Sequence, residues 1–426
     1  MLQTPVRIIK GNAHYGWAIF SLAFTNLAVE GGIKNSAPVL FLALRDGFGR
    51  SAAATAAIFS VGGLTAALIA PLLGNLLDRL GPRFLFPVGG AFILLGFLLS
   101  SLVSDFWQLF ICYGVLVTIG ETIVSSFTAT AVLAPWFPKS RGRVLGLADA
   151  GNPLGQGIFT PLSQILILAF GWRLALRTLG PIFFLMVAPA NLIFQRRPPS
   201  QDEQITVDPV QIEDGRDGPS DIPDIGARQE RFRAILKGAP LWCLVSARTL
   251  AALGHQMTII HLVAFFVAAG YSHIEAASTI GVVGLLSLGG RPLTGALSDF
   301  LGRELIYTVG MGMQVAGIVA ILVLGDGDSF WPLALFVGLT GLSDGIAGLA
   351  VGAKAADLFP SSNLGSVMGI VQSGRGVGIM AGPILGGFLY DRQGDYMMAF
   401  SLAIVMIAVA VAFMWGARIT GGKGKY

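Results

Sequence analysis

Apolar residues run along this chain in stretches far longer than a soluble strand or core helix needs, and short polar turns separate them. A segment crossing the hydrocarbon of a bilayer takes about 20 mostly apolar residues. That criterion predicts twelve helical spans, numbered 1 to 12 below: 16–43, 52–77, 84–104, 107–136, 143–169, 174–194, 240–269, 274–298, 305–324, 330–358, 363–389 and 395–417. The expected fold class is an all-α membrane protein with twelve transmembrane helices in two six-helix, pseudo-symmetric halves. Residues 1–194 form the first half, 195–237 a linker and 238–426 the second half.

The linker is the one long polar stretch. Asp202, Glu203, Asp208, Glu213, Asp214, Asp217, Asp221 and Asp224 stand among prolines and glycines with few large apolar residues, which predicts a mobile segment and a short surface helix near 227–237. Composition agrees with the span pattern, since 54% hydrophobic residues with 12% charged ones cannot clothe a soluble globule. The 57 glycines suit helices that must approach closely where lipid supplies no hydrophobic drive to associate.

Charge sets the expected orientation. Arg7, Lys10, Arg79, Arg83, Lys139, Arg141, Arg143, Arg303, Lys354 and the linker cations lie on the side of the termini, while Arg45, Arg50, Arg173, Arg177 and Arg392 lie on the other. The excess places both termini in the cytoplasm of a multi-pass protein, with a bacterial inner membrane as the expected location. The net charge of +4 then reports topology and points to no nucleic-acid partner. The first apolar run is too long for a cleaved leader. Cys112 and Cys243 sit in different halves and carry no metal signature, so neither a metal nor a cofactor is expected.

A loop occurs twice. Gly74-Asn-Leu-Leu-Asp78-Arg79-Leu-Gly81-Pro82-Arg83 returns 221 positions later as Gly295-Ala-Leu-Ser-Asp299-Phe-Leu-Gly302-Arg303-Glu304. The repeat extends further: Phe137-Pro138 matches Phe359-Pro360, and Gly146 and Gly151 match Gly369 and Gly374. Two parallel halves with a site near the midplane between them describe a rocking transporter, acting as a monomer. An enzyme or an ATP-driven pump would need a nucleophile elbow, a zinc motif or a phosphate loop, and none is present.

The first loop and the glycine/proline run over residues 378–387 resemble the signatures of the major facilitator superfamily, and the resemblance covers all twelve spans. It implies that Asp78, Arg79, Arg83, Asp299 and Arg303 brace a gate on the cytoplasmic side. Gly16-Trp17, Trp136-Phe-Pro-x-x-Arg141-Gly142, Gly290-Arg291-Pro292 and Ser373-Gly-Arg375-Gly376 resemble the monocarboxylate porters and their oxalate–formate exchanger relatives within that superfamily. By that resemblance Arg291 holds the substrate carboxylate, Arg375 is a second cation, and Lys34 stands within about one residue of a functional lysine on span 1.

Depth argues separately for the two arginines. At 1.5 Å per residue both fall in the middle third of a hydrocarbon core roughly 30 Å thick, where a charge costs at least about 2.5–3.5 kcal/mol and so points to function. Their repeat equivalents are Ala70 and Asn152, so the cations are confined to the second half, as an anion site on one wall requires. Guanidinium suits the role because it meets a carboxylate bidentately and stays charged when desolvated. The alternative is structural pairing with a deep acid, of which Glu30, Glu121 and Asp344 are the candidates; Glu30 and Lys34, spaced i, i+4, can satisfy each other.

In the proton-coupled relatives an aspartate lies four residues before the span 8 arginine, and here that position is Ser287. Glu121, Asp344, Glu30 and His255 are the substitute proton carriers, because a carboxyl or imidazole in a dry interior exchanges protons near neutrality. Asn152, Gln372 and His255 are further candidates for contacting substrate, and Arg248 is expected to snorkel toward the interface. The expected cargo is a small carboxylate with protons, lactate or pyruvate first among them. Exchange of carboxylates or transport of dicarboxylates stays open beside it.

Overall fold

The computed structural model describes residues 12–137, 141–196, 225–323 and 330–421. Among these the chain is helical with no strand, and ten stretches are long and apolar enough to cross a membrane. This count differs from the twelve expected spans at two places. The stretch Arg143–Phe194 holds two of them, separated by Gly171, whose φ of 79° interrupts the helical backbone. Ser361–Gln393 is a continuous helix of 33 residues, but its glycines dilute the hydropathy that the other spans show. The acidic part of the linker, 197–224, lies outside the described residues.

The helices are α1 (Asn12–Asn35), α2 (Ala37–Phe48), α3 (Ala52–Leu80), α4 (Pro82–Leu102), a π-helical segment Phe110–Val117 leading into α5 (Thr118–Ile123), α6 (Ser126–Leu133), α7 (Arg141–Asp149), α8 (Gly151–Phe194), α9 (Ile225–Lys237), α10 (Ala239–Ile259), α11 (Leu262–Ala268), α12 (His273–Leu301), α13 (Arg303–Leu322), α14 (Phe330–Ser343), α15 (Ile346–Leu358), α16 (Ser361–Gln393) and α17 (Met397–Thr420). Four spans expected to be continuous are cut inside their length: span 1 at Ser36, span 4 at Val124–Ser125, span 7 at Ile260–His261 and span 10 at Asp344–Gly345. Gly345 makes its break with φ 86°, a left-handed conformation open to glycine at no steric cost. The cuts are repeat-related, falling on the first and fourth span of each half. Broken helices at membrane depth persist where they line a cavity inside the protein.

Glycine sets how closely the helices approach. Gly151 and Gly155 of α8 lie against the carbonyls of Phe24 and Ala28 on α1, and Gly31 lies against the carbonyl of Asn152, so a Cβ at any of the three would run into backbone. The second half repeats the contact between α16 and α10, where Gly378 meets the carbonyl of Thr249 and Gly382 that of Leu253. Small residues of this kind let van der Waals packing hold helices together in lipid.

Two apolar cores result. One is drawn from residues between Ile19 and Val187, the other from Ile235 to Ala417, and the second also takes in Ala37, Val39, Phe41, Leu42, Ala52 and Ala56. The halves therefore fuse at the end away from the termini. Asp391 caps the start of α3 by accepting the Ala52 and Ala53 N–H groups at 2.8 and 2.9 Å. Phe41 meets the buried His261 edge-on at 4.7 Å, and Arg45 lies over the Tyr390 ring at 5.6 Å. The α3–α16 contact continues past Gly63 and Ile379 to Ala67 and Gly376. Beyond it Leu68 and Leu72 are exposed at 65% and 63%, as are Gln372 and Ser373. The molecule is closed at one end and parts toward the end that carries the termini.

Candidate functional site

The breaks and the close α1–α8 crossing gather eight charged side chains in the middle of the molecule. Glu30 and Lys34 come from the end of α1, Glu121 from α5, Asp149 from the last position of α7, Arg248 from α10, Arg291 from α12, Asp344 from the break between α14 and α15, and Arg375 from α16. The four acids and four bases formally cancel. Such a cluster persists at membrane depth because its charges compensate one another and face the interior.

Arg291 is engaged at both terminal nitrogens, while its buried Nε has no hydrogen-bond partner among the described residues. Its Nη1 donates to Asp149 Oδ2 at 2.6 Å and its Nη2 to Asp344 Oδ2 at 2.9 Å. A Cβ on Gly345 would stand 3.2 Å from Arg291 Nε, so the glycine at the break makes room for the guanidinium. The expectation of Arg291 as an open carboxylate anchor thus meets a guanidinium already holding two carboxylates, one from each half.

Lys34 and Arg375 stand differently. Neither makes a hydrogen bond or an ion pair with a described residue, and both are partly accessible. They come from opposite halves and act on each other electrostatically, with Glu30, Glu121 and Asp344 also in range of both. The anticipated pairing of Glu30 with Lys34 does not form. Glu30 Oε2 instead accepts the Ser126 N–H at 3.1 Å and lies 3.3 Å from its hydroxyl oxygen.

The remaining candidates divide. His255 lines a small cavity of the second half with Thr258, Gln314, Phe336 and Thr340, and it feels Asp344, Lys34 and Arg375. Gln372 is exposed one turn before Arg375, on the open side. Asn152 is buried in the α1–α8 crossing at 8% exposure, which makes it a packing residue in this conformation. Ser287 is fully buried and donates to the Gly284 carbonyl at 2.8 Å, so α12 offers no proton carrier beside Arg291. Arg248 does not snorkel outward; its guanidinium lies over Gly348 and within range of Arg375.

Of the residues expected at a gate, Arg79 is exposed, Arg83 Nε donates to the Leu192 carbonyl at 2.8 Å, and Arg303 donates to Ser298 Oγ at 2.7 Å while facing Asp357 at 3.4 Å. The side chains of Asp78 and Asp299 lie outside the described residues. Sequence reading missed Asp149 and Ser126. Asp149 was legible as a fourth deep acid just before the Gly151–Gly155 packing motif, whereas Ser126 carries no sequence mark beyond following the break.

The pattern of the Major Facilitator Superfamily matches residues 22–349 and 292–423 of the chain. Among curated relatives, the protein called monocarboxylate transporter 13 of Bos taurus is 27% identical over 91% of this chain and 86% of its own. Human monocarboxylate transporter 11 is 27% identical over 94% of this chain and 82% of its own. Among solved structures, a bacterial homologue of the human lysosomal transporter Spinster, inward-facing and unoccupied, aligns with a TM-score of 0.70 at 16% identity, covering 98% of this chain and 99% of that one. The same homologue in its inward-facing, occupied conformation aligns at 0.68, also with 16% identity, covering 98% of each chain.

Proposed function

This chain belongs to the Major Facilitator Superfamily and is a multi-pass membrane transporter rather than an enzyme, and from that premise we propose that it moves small monocarboxylates with a proton by alternating access. The observation that carries the reading is the pair of cations without a hydrogen-bond or ion-pair partner among the described residues, Lys34 and Arg375, one from each half and both partly accessible. A monocarboxylate bridging them ties the halves together. Arg375 offers a planar fork for the two carboxylate oxygens and Lys34 a compact charge that adapts to the remainder. Gln372 and His255 supply neutral hydrogen-bonding groups beside the bound acid.

The charge balance supports proton coupling. With four acids and four bases at depth the empty site is formally neutral, so an anion entering alone leaves an uncompensated charge in a medium of low dielectric. One proton entering with it restores neutrality and lets the halves rock. The names of the relatives support the substrate class. The termini-bearing end is then the cytoplasmic one, and the conformation described here faces inward.

Anion exchange or dicarboxylate transport is the second reading, favoured by the buried Ser287 where a proton-carrying aspartate stands in the porters. Uptake of radiolabelled L-lactate into proteoliposomes with and without an inward proton gradient decides between them. Uptake that rises with the gradient supports symport. Dependence on internal carboxylate with no effect of the gradient transfers the assignment to exchange, and no uptake of any carboxylate overturns both.

A further inference from the structure

Ser126 opens α6 directly after the break at Val124–Ser125, and its hydroxyl touches two carboxyl groups: Glu30 Oε2 at 3.3 Å and Asp149 Oδ1 at 3.0 Å. A hydroxyl carries one proton and can donate to one of them. The second contact is a hydrogen bond only when that carboxyl is itself protonated and donates to the serine lone pair. Were both acids ionised, one would press a charged oxygen against the hydroxyl oxygen in a poorly solvated interior.

The surroundings say which acid holds the proton. Asp149 has its other oxygen on the Arg291 guanidinium at 2.6 Å, a charge-assisted bond made by a carboxylate. The hydroxyl proton belongs on Asp149 as well, at the shorter of its two distances. Glu30 is left as the member that donates. The charged groups that face Glu30 are Lys34 on its own helix, Asp149 on α7 and Arg375 on α16, with Glu121 on α5 also in range; those facing Asp149 are Glu30 and Arg291, the latter shared with Asp344.

We propose that Glu30, Ser126 and Asp149 form a one-proton site, with Glu30 as the proton carrier whose loading prepares Lys34 to bind the substrate anion. The coupling rests on the carboxylate reading above. When Glu30 is ionised it offers Lys34 a counter-charge one helical turn away. When it is protonated the charge is gone, the cluster carries one net positive charge, and an incoming monoanion takes its place.

Infrared spectroscopy of the purified, ligand-free protein tests the proton site without any substrate. The expected result is a protonated-carboxyl C=O band that persists at neutral pH, is lost in Glu30→Gln and has its pH midpoint shifted in Ser126→Ala. A band absent at neutral pH, or one unmoved by both substitutions, overturns the proposal. Should Glu30→Gln fail to fold, the Ser126→Ala shift decides alone.

L-lactate affinity measured against pH tests the coupling. One-proton linkage weakens binding by about tenfold per pH unit above the midpoint in the wild type, while Glu30→Gln, a fixed mimic of the loaded state, binds with no such slope. Wild-type affinity that is flat across that range overturns the coupling. A wild type that binds no carboxylate, yet shows the expected band, sinks the carboxylate reading and leaves the proton site standing.

Discussion

Arg291 and Asp149 join the two halves of the molecule through a 2.6 Å bond between residues 142 positions apart, and Asp344 takes the other arm of the same guanidinium at 2.9 Å. Removing one partner of a fully buried pair typically costs about 3–5 kcal/mol. Here the side chains of Arg291 and Asp344 are each 22% exposed and that of Asp149 is 39% exposed, so solvent screens part of the interaction. Asp344→Asn is expected to destabilise the protein more than Asp149→Asn, by roughly 1–3 kcal/mol. Melting of the two variants in detergent, at one pH and salt concentration, checks the order.

Lys34 and Arg375 are expected to act as one binding unit. Each single alanine substitution should weaken monocarboxylate binding by about tenfold or more, as loss of a charged hydrogen-bond donor does. The double substitution should cost less than the two singles combined, because both contact the same carboxylate. Ligand-induced shifts in melting temperature across the four proteins give the cycle. Purely additive losses would mean that the two cations serve different groups.

Asp391 holds the closed end by capping two N–H groups at the start of α3. Asp391→Asn keeps the shape but removes the negative charge from a helix N-terminus, a loss of about 0.3–1 kcal/mol. The population should move toward a state open at that end. Spin labels at the exposed Arg50 and Gln393, in a background lacking Cys112 and Cys243, would report a longer distance distribution in the variant.

Gly155→Leu should not give a folded transporter in useful yield. A Cβ at this position already runs into the Ala28 carbonyl, and no rotamer of a larger side chain relieves a clash with backbone. Overpacking costs typically 1–3 kcal/mol where side chains can shift and more where they cannot. Gly146, whose Cβ would meet nothing within 4 Å, is the control, and Gly146→Ala should express normally.

The spans, the duplication and the deep cations were legible because bilayer thickness imposes a long apolar repeat and because charge at depth is costly. The helix breaks were not. Val124–Ser125 and Ile260–His261 contain neither proline nor glycine, and although Lys34-Asn35-Ser36 and Pro38 mark the first break, the apolar run resumes directly after it. The pairings were hidden for a related reason. Whether Glu30 turns to Lys34 one turn away or to Ser126 across the cavity depends on where α6 begins, and that is decided by packing between segments 96 positions apart.

A span cut into a long and a short helix does not have to turn as one rod. Phe41 belongs to the short piece α2 and His261 to the junction before α11, both away from the termini, while Lys34 lies in the last turn of α1 and Arg248 belongs to α10. The short pieces can tilt while the longer ones stay in place. For the alternating access proposed above, a state shut at both ends with the cargo sealed inside is the expected intermediate.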